Sequence, residues 1–299
     1  MKRCERRNCD DCTTSPASRR IVQLCALLIL AGTPLAAQFV SRTSLVEVYA
    51  TVTDASGAPV TGLTAADFQV EDDGVPQRIA AFAAGNFPLS VALAIDRSFS
   101  MRGSRLALAK DAARAFLAAL EAGDQVMAIA IGSEVEIVAP LTTDHATVRG
   151  AIERLDPWGT TPLYDATLAA LDAVQQGTGR RALVLVSDGS DRYSTTTAAE
   201  LVEASRRRDV LIYPVAIGGS RPTVFAELST VTGGRTVFAK DPRDLPLALT
   251  SVARELRQQY LLGYAPPEAA GADERWHSIR VTVRRPDSRV RARDGYFAR

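Results

Sequence analysis

Between residues 44 and 83 apolar and polar side chains alternate: Val46, Val48, Ala50 and Val52 fall on one side of an extended chain, and Glu47, Tyr49, Thr51 and Thr53 on the other. A period of two sends successive side chains to opposite faces, so the segment reads as half-buried β-strand. Ser56-Gly57 and Asp73-Gly74 supply turn residues, and Phe68-Gln69-Val70-Glu71 alternates again before Asp73-Gly74 reverses the chain; a small antiparallel unit is predicted. From Leu89 the pattern changes. The continuous apolar runs Leu89 to Ile95, Val126 to Ile131, Ala182 to Val186 and Val210 to Ile217 are what a parallel sheet buried on both faces requires. Between them, Leu106 to Leu120, Ala146 to Leu155, Asp165 to Val174, Ala198 to Arg207 and Pro222 to Val231 carry helical apolar spacing, with Gly123 and Gly234 read as glycines that end helices. Pro214 within a strand is tolerable at an edge, or where its missing N–H faces no neighbour.

After a last helix from about Arg243 to Gln258, alternation returns in Ile279-Arg280-Val281-Thr282-Val283 and in Val290-Arg291-Ala292-Arg293, with Ala265 to Ala272 read as a hairpin loop. The fold class predicted is α/β: a doubly wound, mostly parallel sheet flanked by helices over residues 88–258, with a small β-sandwich formed from an amino-terminal segment, 38–87, and a carboxy-terminal one, 259–299. Neither segment holds enough strands to bury a face alone, so each is expected to complete the other. Arg280, Arg284, Arg289, Arg291 and Arg293 fall on the outward positions of these last strands and read as a solvated face.

Composition narrows the partners. A chain of 299 residues with 46% hydrophobic and 23% charged residues is ordinary for a globular protein. A net charge of +1 and 6% aromatic residues provide neither the field nor the stacking platform that nucleic acid needs. Residues 1–37 read as an export signal: Arg19 and Arg20 precede the apolar run Ile21 to Ala31, and Ala36-Ala37 offers small residues for cleavage. That run is too short to span a bilayer comfortably, so no stable membrane insertion is expected after cleavage, and the mature protein is expected in the periplasm or secreted. Cys4, Cys9, Cys12 and Cys25 all lie in this leader, which leaves the mature chain without a disulfide framework or a reactive thiol.

Candidate chemistry sits where an open parallel sheet places ligands, beyond the carboxyl ends of its strands. Asp96-Arg97-Ser98-Phe99-Ser100 follows the first apolar run, Ser187-Asp188-Gly189 follows the third, and Trp158-Gly159-Thr160-Thr161-Pro162 opens the helix before that third strand. Carboxylates and hydroxyls without histidine or cysteine suit a hard divalent cation, Mg²⁺ first and Mn²⁺ or Ca²⁺ next, and do not suit zinc. A helix-capping role for Asp96 and Ser98 is the bland alternative, and an Asp-x-Ser-x-Ser string alone is weak; the order of all three segments at strand ends gives the metal reading its weight.

The arrangement resembles the metal-ion-dependent adhesion site of von Willebrand factor type A domains. The resemblance implies that Ser98, Ser100 and Thr161 bind the metal directly and that Asp96 and Asp188 act mainly through water. Phe99 stands where that family often has glycine, and Thr160 where a second glycine is frequent. The flanks, from Val52-Thr53-Asp54 to Asp73-Gly74, then Tyr260-Leu261-Leu262-Gly263-Tyr264 and Arg291-Ala292-Arg293-Asp294-Gly295-Tyr296, are similar to a group of secreted bacterial proteins built around such a domain.

The expected function is metal-dependent binding of a protein that presents Asp or Glu to the ion, with Phe99, Trp158 and Tyr193 as a contact rim. An envelope-assembly protein whose ion only fixes loop conformation uses the same ligands. A metal-dependent hydrolase ranks last: His145 and His277 are the only histidines and neither falls in the three segments, and no glycine-rich phosphate cradle follows the first strand.

Overall fold

The computed structural model describes residues 45–218, 221–266 and 275–298. The export signal, its cleavage after Ala37, the four cysteines and most of the loop from Ala265 to Ala272 lie outside the described residues. The alternating amino-terminal segment forms β1 (Val46–Thr53), β2 (Phe68–Asp72), β3 (Val75–Gln77) and β4 (Ile79–Ala84). The first continuous apolar run is β5 (Leu89–Asp96), buried at every position, and it leads to α1 (Ser104–Ala118). β6 (Gln125–Ile131) follows, then β7 (Val135–Thr142), α2 (His145–Glu153) and α3 (Leu163–Val174). Next come β8 (Arg180–Ser187), α4 (Ala198–Arg206), β9 (Leu211–Ile217), α5 (Thr223–Thr232) and β10 (Val237–Ala239). The chain then runs through α6 (Leu245–Arg257), β11 (Tyr260–Tyr264), β12 (Trp276–Val283), β13 (Arg289–Arg291) and β14 (Gly295–Phe297).

The central sheet has six strands in the order β10-β9-β8-β5-β6-β7. β5 pairs in parallel with β6 and β8, β8 with β9 and β9 with β10, while β7 is antiparallel to β6. Because β5 has a strand on each side and helices above and below, alternate residues feed two separate cores. Leu89, Val91, Leu93 and Ile95 pack with α1, α2 and α6, whereas Ala92 and Ala94 pack with α3, α4 and α5. Each large aliphatic side chain buried this way contributes about 1.5–3 kcal/mol, which is why the run tolerates so few polar positions.

The amino- and carboxy-terminal segments interleave in two further sheets, β13-β1-β11-β4 and β14-β12-β2-β3. β1 lies antiparallel to β11, and β2 antiparallel to β12 with Val70 opposite Val281. Val48, Val52, Phe68, Val70, Leu262 and Tyr264 fill the space between them. Residues of both segments line this core.

Several local expectations are corrected. Gly233, not Gly234, takes the left-handed position that ends α5, with φ +83°. Gly234 is needed for a different reason, since a Cβ there would fall 1.9 Å from the Ile212 carbonyl oxygen. Gly123 follows α1 too late to end it, because the helix closes on Ala119. β9 is not an edge strand; Pro214 is accommodated because β10 pairs only with Val215 to Ile217. Arg291 and Arg293 do not form a solvated face. Arg291 lies 2.8 Å from the buried Glu255 of α6, and Arg293 lies 3.3 Å from Asp209 just before β9, so both fasten the carboxy-terminal segment to the α/β part of the chain.

Candidate functional site

β5 and β8 are neighbours in parallel register, with Ile95 opposite Val186, so both strands deliver the residues that follow to one edge of the sheet. Asp96 is the last residue of β5 and has no exposed surface. Its Oδ1 accepts from the Ser98 amide at 2.9 Å and its Oδ2 from the Ser187 hydroxyl at 2.7 Å. Burial pushes the Asp96 carboxyl above its ordinary range, and the nearby charge of Asp188 adds to the rise even though hydrogen bonds from Ser98 and Ser187 oppose it. Such a carboxylate gains from any cation placed beside it.

Backbone hydrogen bonds lock the three loops together. The Phe99 amide donates to the Gly159 carbonyl at 3.0 Å, the Trp158 amide to the Arg97 carbonyl at 2.7 Å, and the Arg192 amide to the Thr161 carbonyl at 2.7 Å. The loop after β5 is thereby tied to the Gly-Thr loop, and that loop to the one after β8. Ser98 and Thr161 are buried, Ser100 is exposed, and Asp188 is at the border of burial. The Ser98 and Ser100 hydroxyl oxygens are 3.1 Å apart. That matches adjacent corners of an octahedron whose metal–oxygen bonds are about 2.1 Å. The Thr161 hydroxyl makes no hydrogen bond among the described residues. All-oxygen donors, two of them at octahedral spacing, fit a hard divalent cation.

Residues outside the expected set shape this site. Arg105, on α1, donates to the Ser100 carbonyl at 3.1 Å and stands 3.9 Å from Asp188 Oδ2. Ser187 buttresses Asp96 and also accepts from the Gly189 amide at 3.0 Å. Asp165 clamps the far end of the loop after β8. Partial burial raises its carboxyl, but hydrogen bonds from Thr196 and Thr195 outweigh this and hold it at about 2. The clamp is therefore complete above the ordinary carboxylate range and is lost only as the pH falls toward that value.

Phe99, Trp158 and Tyr193 are 54%, 41% and 79% exposed. Arg102 covers the Phe99 ring and Arg97 the Trp158 ring. Tyr164 instead packs against the core beneath its loop. Neither histidine reaches the site: His145 Nε2 is 2.9 Å from the Asp124 carbonyl, and His277 Nδ1 is 3.0 Å from Asp73 on the terminal sheets. Asp72, Asp73 and His277 themselves form a cluster compatible with a metal, and nothing in the spacing of the sequence brings them together.

A family model for the von Willebrand factor type A domain matches residues 91–190. No curated protein matches the sequence. Among solved structures, a von Willebrand factor type A protein from Catenulispora acidiphila is 14% identical, covers 77% of this chain and 74% of its own, and superposes with a TM-score of 0.51. Proximal thread matrix protein 1 from the mussel byssus is 14% identical, covers 62% of this chain and 51% of its own, and gives a TM-score of 0.51. BatB from Bacteroides thetaiotaomicron is 19% identical over 56% of this chain and 97% of its own, with a TM-score of 0.47. At these identities the likeness is one of fold. The family match spans β5 through the loop after β8, the stretch that carries Asp96, Ser98, Ser100, Thr161 and Asp188, and the chain thus contains a von Willebrand factor type A domain.

Proposed function

We propose that this is an exported, non-catalytic binding protein that holds a divalent cation, Mg²⁺ in the first instance, on Ser98, Ser100 and Thr161, with Asp96 and Asp188 acting through water. Hydroxyl donors leave the ion's charge largely unspent, so the remaining coordination position attracts an Asp or Glu side chain of a partner protein. The observation that carries this reading is the cross-linking of three separate loops by backbone hydrogen bonds around oxygen donors alone. Phe99, Trp158 and Tyr193 supply exposed aromatic surface for the partner, the residue type that anchors protein contacts. The distance of both histidines from the site supports a binding role over a hydrolytic one. Residues 1–37 act as the export signal, and no described helix is long and apolar enough to cross a membrane.

Because the donors converge only in the folded chain, the cation stabilises the native state. At a concentration one hundred times Kd the gain is about 2.7 kcal/mol. For a unit of this size that raises the melting temperature by about 5–10 °C. A thermal melt with and without saturating Mg²⁺ measures it, and an unchanged midpoint would remove the basis for the reading.

Arg105 adds a testable feature. Its guanidinium sits 3.9 Å from Asp188, so an arriving cation must share or displace that partner. With the arginine side chain 43% exposed, solvent screening limits the competition to about 1 kcal/mol. Arg105→Gln is expected to bind Mg²⁺ about fivefold more tightly by calorimetry. Weaker binding would instead assign Arg105 the task of holding the Ser100 loop in place.

A further inference from the structure

We infer that Asp72, Asp73 and His277 form a second metal site, selective for a borderline transition ion such as Zn²⁺, that joins the amino- and carboxy-terminal strands. Asp72 closes β2, Asp73 begins the turn into β3, and His277 lies near the start of β12. Antiparallel pairing of β2 with β12, Asp72 opposite Ile279, brings these distant parts of the chain together. One oxygen from each aspartate and a ring nitrogen of the histidine lie within 4.8 Å of one another.

The site is more than an acidic cluster. Asp72 is fully buried, and its Oδ2 accepts from the hydroxyls of Tyr264 and Tyr296, each at 2.9 Å. Its Oδ1 is buried without a hydrogen-bond partner and faces His277 Nδ1 at 3.7 Å. Leaving a carboxylate oxygen in that condition is costly unless something of opposite charge occupies the space in front of it. Asp73 also reaches the ring, its Oδ2 3.0 Å from the same Nδ1, while its Oδ1 accepts from the Ser278 amide at 2.8 Å. The ring of His277 is fixed by stacking on Tyr296 at 5.2 Å. Metal–ligand bonds of about 2.0–2.2 Å place neighbouring donors about 3–3.6 Å apart, close to the two separations seen here.

Charge and donor type point the same way. Among the described residues two carboxylates flank the imidazole, so a proton on the ring offsets one of these negative charges, whereas a divalent ion offsets both. The ion takes the place of the proton on Nδ1. A mixed nitrogen and oxygen set favours zinc and its neighbours over Mg²⁺, the reverse of the preference at the all-oxygen loops. Asp73 is exposed, which gives the ion a path from solvent. This inference stands whether or not the first site binds metal.

The test is Zn²⁺ titration of the full chain in saturating Mg²⁺, read by calorimetry and by imidazole ¹⁵N resonances; with only two histidines in the sequence, the signals separate cleanly. One Zn²⁺ per chain should bind and shift the Nδ1 resonance of His277 while leaving His145 in place. Asp73→Asn, at an exposed position, should weaken binding at least about tenfold while the protein stays folded. His277→Gln should abolish both the binding and the shifted signal. An unshifted His277 resonance in saturating Zn²⁺, or undiminished affinity in folded Asp73→Asn, would overturn the assignment and leave the cluster as a proton-held ion pair.

Discussion

Asp188→Ala is expected to lower Mg²⁺ affinity by about a hundredfold or more while leaving the protein folded. Effects of this size follow when a charge is removed next to an ion, since even groups that only orient the ligands cost about 10–100-fold. Asp188 is the cleanest choice among the candidates. Asp96 is completely buried and holds both the Ser98 amide and the Ser187 hydroxyl, so its removal disturbs the loop as well as the ion. Asp188, by contrast, accepts one local hydrogen bond, from the Ser190 amide at 3.0 Å, and faces Arg105 at 3.9 Å. Ser98→Ala deletes a neutral donor and should cost less than Asp188→Ala. Calorimetry on the two variants, with circular dichroism as the control for folding, checks both the size and the order of the effects. Equal losses would mean that Asp188 acts through geometry and not through charge.

Gly159→Ala should be the more damaging change to the fold. Gly159 has φ +79°, and a Cβ there would lie 2.4 Å from both the amide nitrogen and the hydroxyl of Ser133. The Ser133 hydroxyl in turn receives the Thr160 amide at 3.1 Å, so the clash falls on the contact that sets the position of Thr161. Left-handed backbone and a collision with main-chain atoms together cost about 3 kcal/mol. In a unit of this size the melting temperature falls by about 6–12 °C. Mg²⁺ affinity should fall at least tenfold, about 1.4 kcal/mol, because Thr161 is displaced. Gly123→Ala is the matched control, since its Cβ would meet nothing within 4 Å. A Gly159→Ala protein with wild-type melting and metal affinity would show that the loop can shift without moving Thr161.

Val46, Val48 and Val52 announce a strand because burial on one face repeats every second residue, and the run from Leu89 to Ile95 announces a central strand because both faces are buried. The order of Asp96, Thr161 and Asp188 at strand ends makes the candidate site readable for the same reason: topology sends all three to one edge. What failed to show depends on contacts between distant segments. β7 alternates weakly, with Glu136 and Ile137 exposed and Ala139 buried, so its antiparallel place on the sheet edge gave little signal. β10 is three residues long. Asp73-Gly74 satisfies a turn so well that nothing marks Asp72 and Asp73 as neighbours of His277, about two hundred residues further along the chain. Arg291 and Arg293 alternate as an exposed face should, yet Glu255 and Asp209 draw them inward. Ser187 and Arg105 likewise carry no motif; each is recognisable only once β5, β8 and α1 are assembled.

The most direct measurement is a crystal of the protein grown with Mn²⁺ in Mg²⁺-free buffer, in which the anomalous scattering of manganese locates the ion without reference to any variant. The account predicts an anomalous peak at the carboxyl edge of the sheet, bonded to the hydroxyls of Ser98, Ser100 and Thr161 at about 2.1–2.2 Å, with Asp96 and Asp188 reached through water. A well-ordered site at that edge with no anomalous peak, or with manganese found only at Asp72, Asp73 and His277, would contradict it.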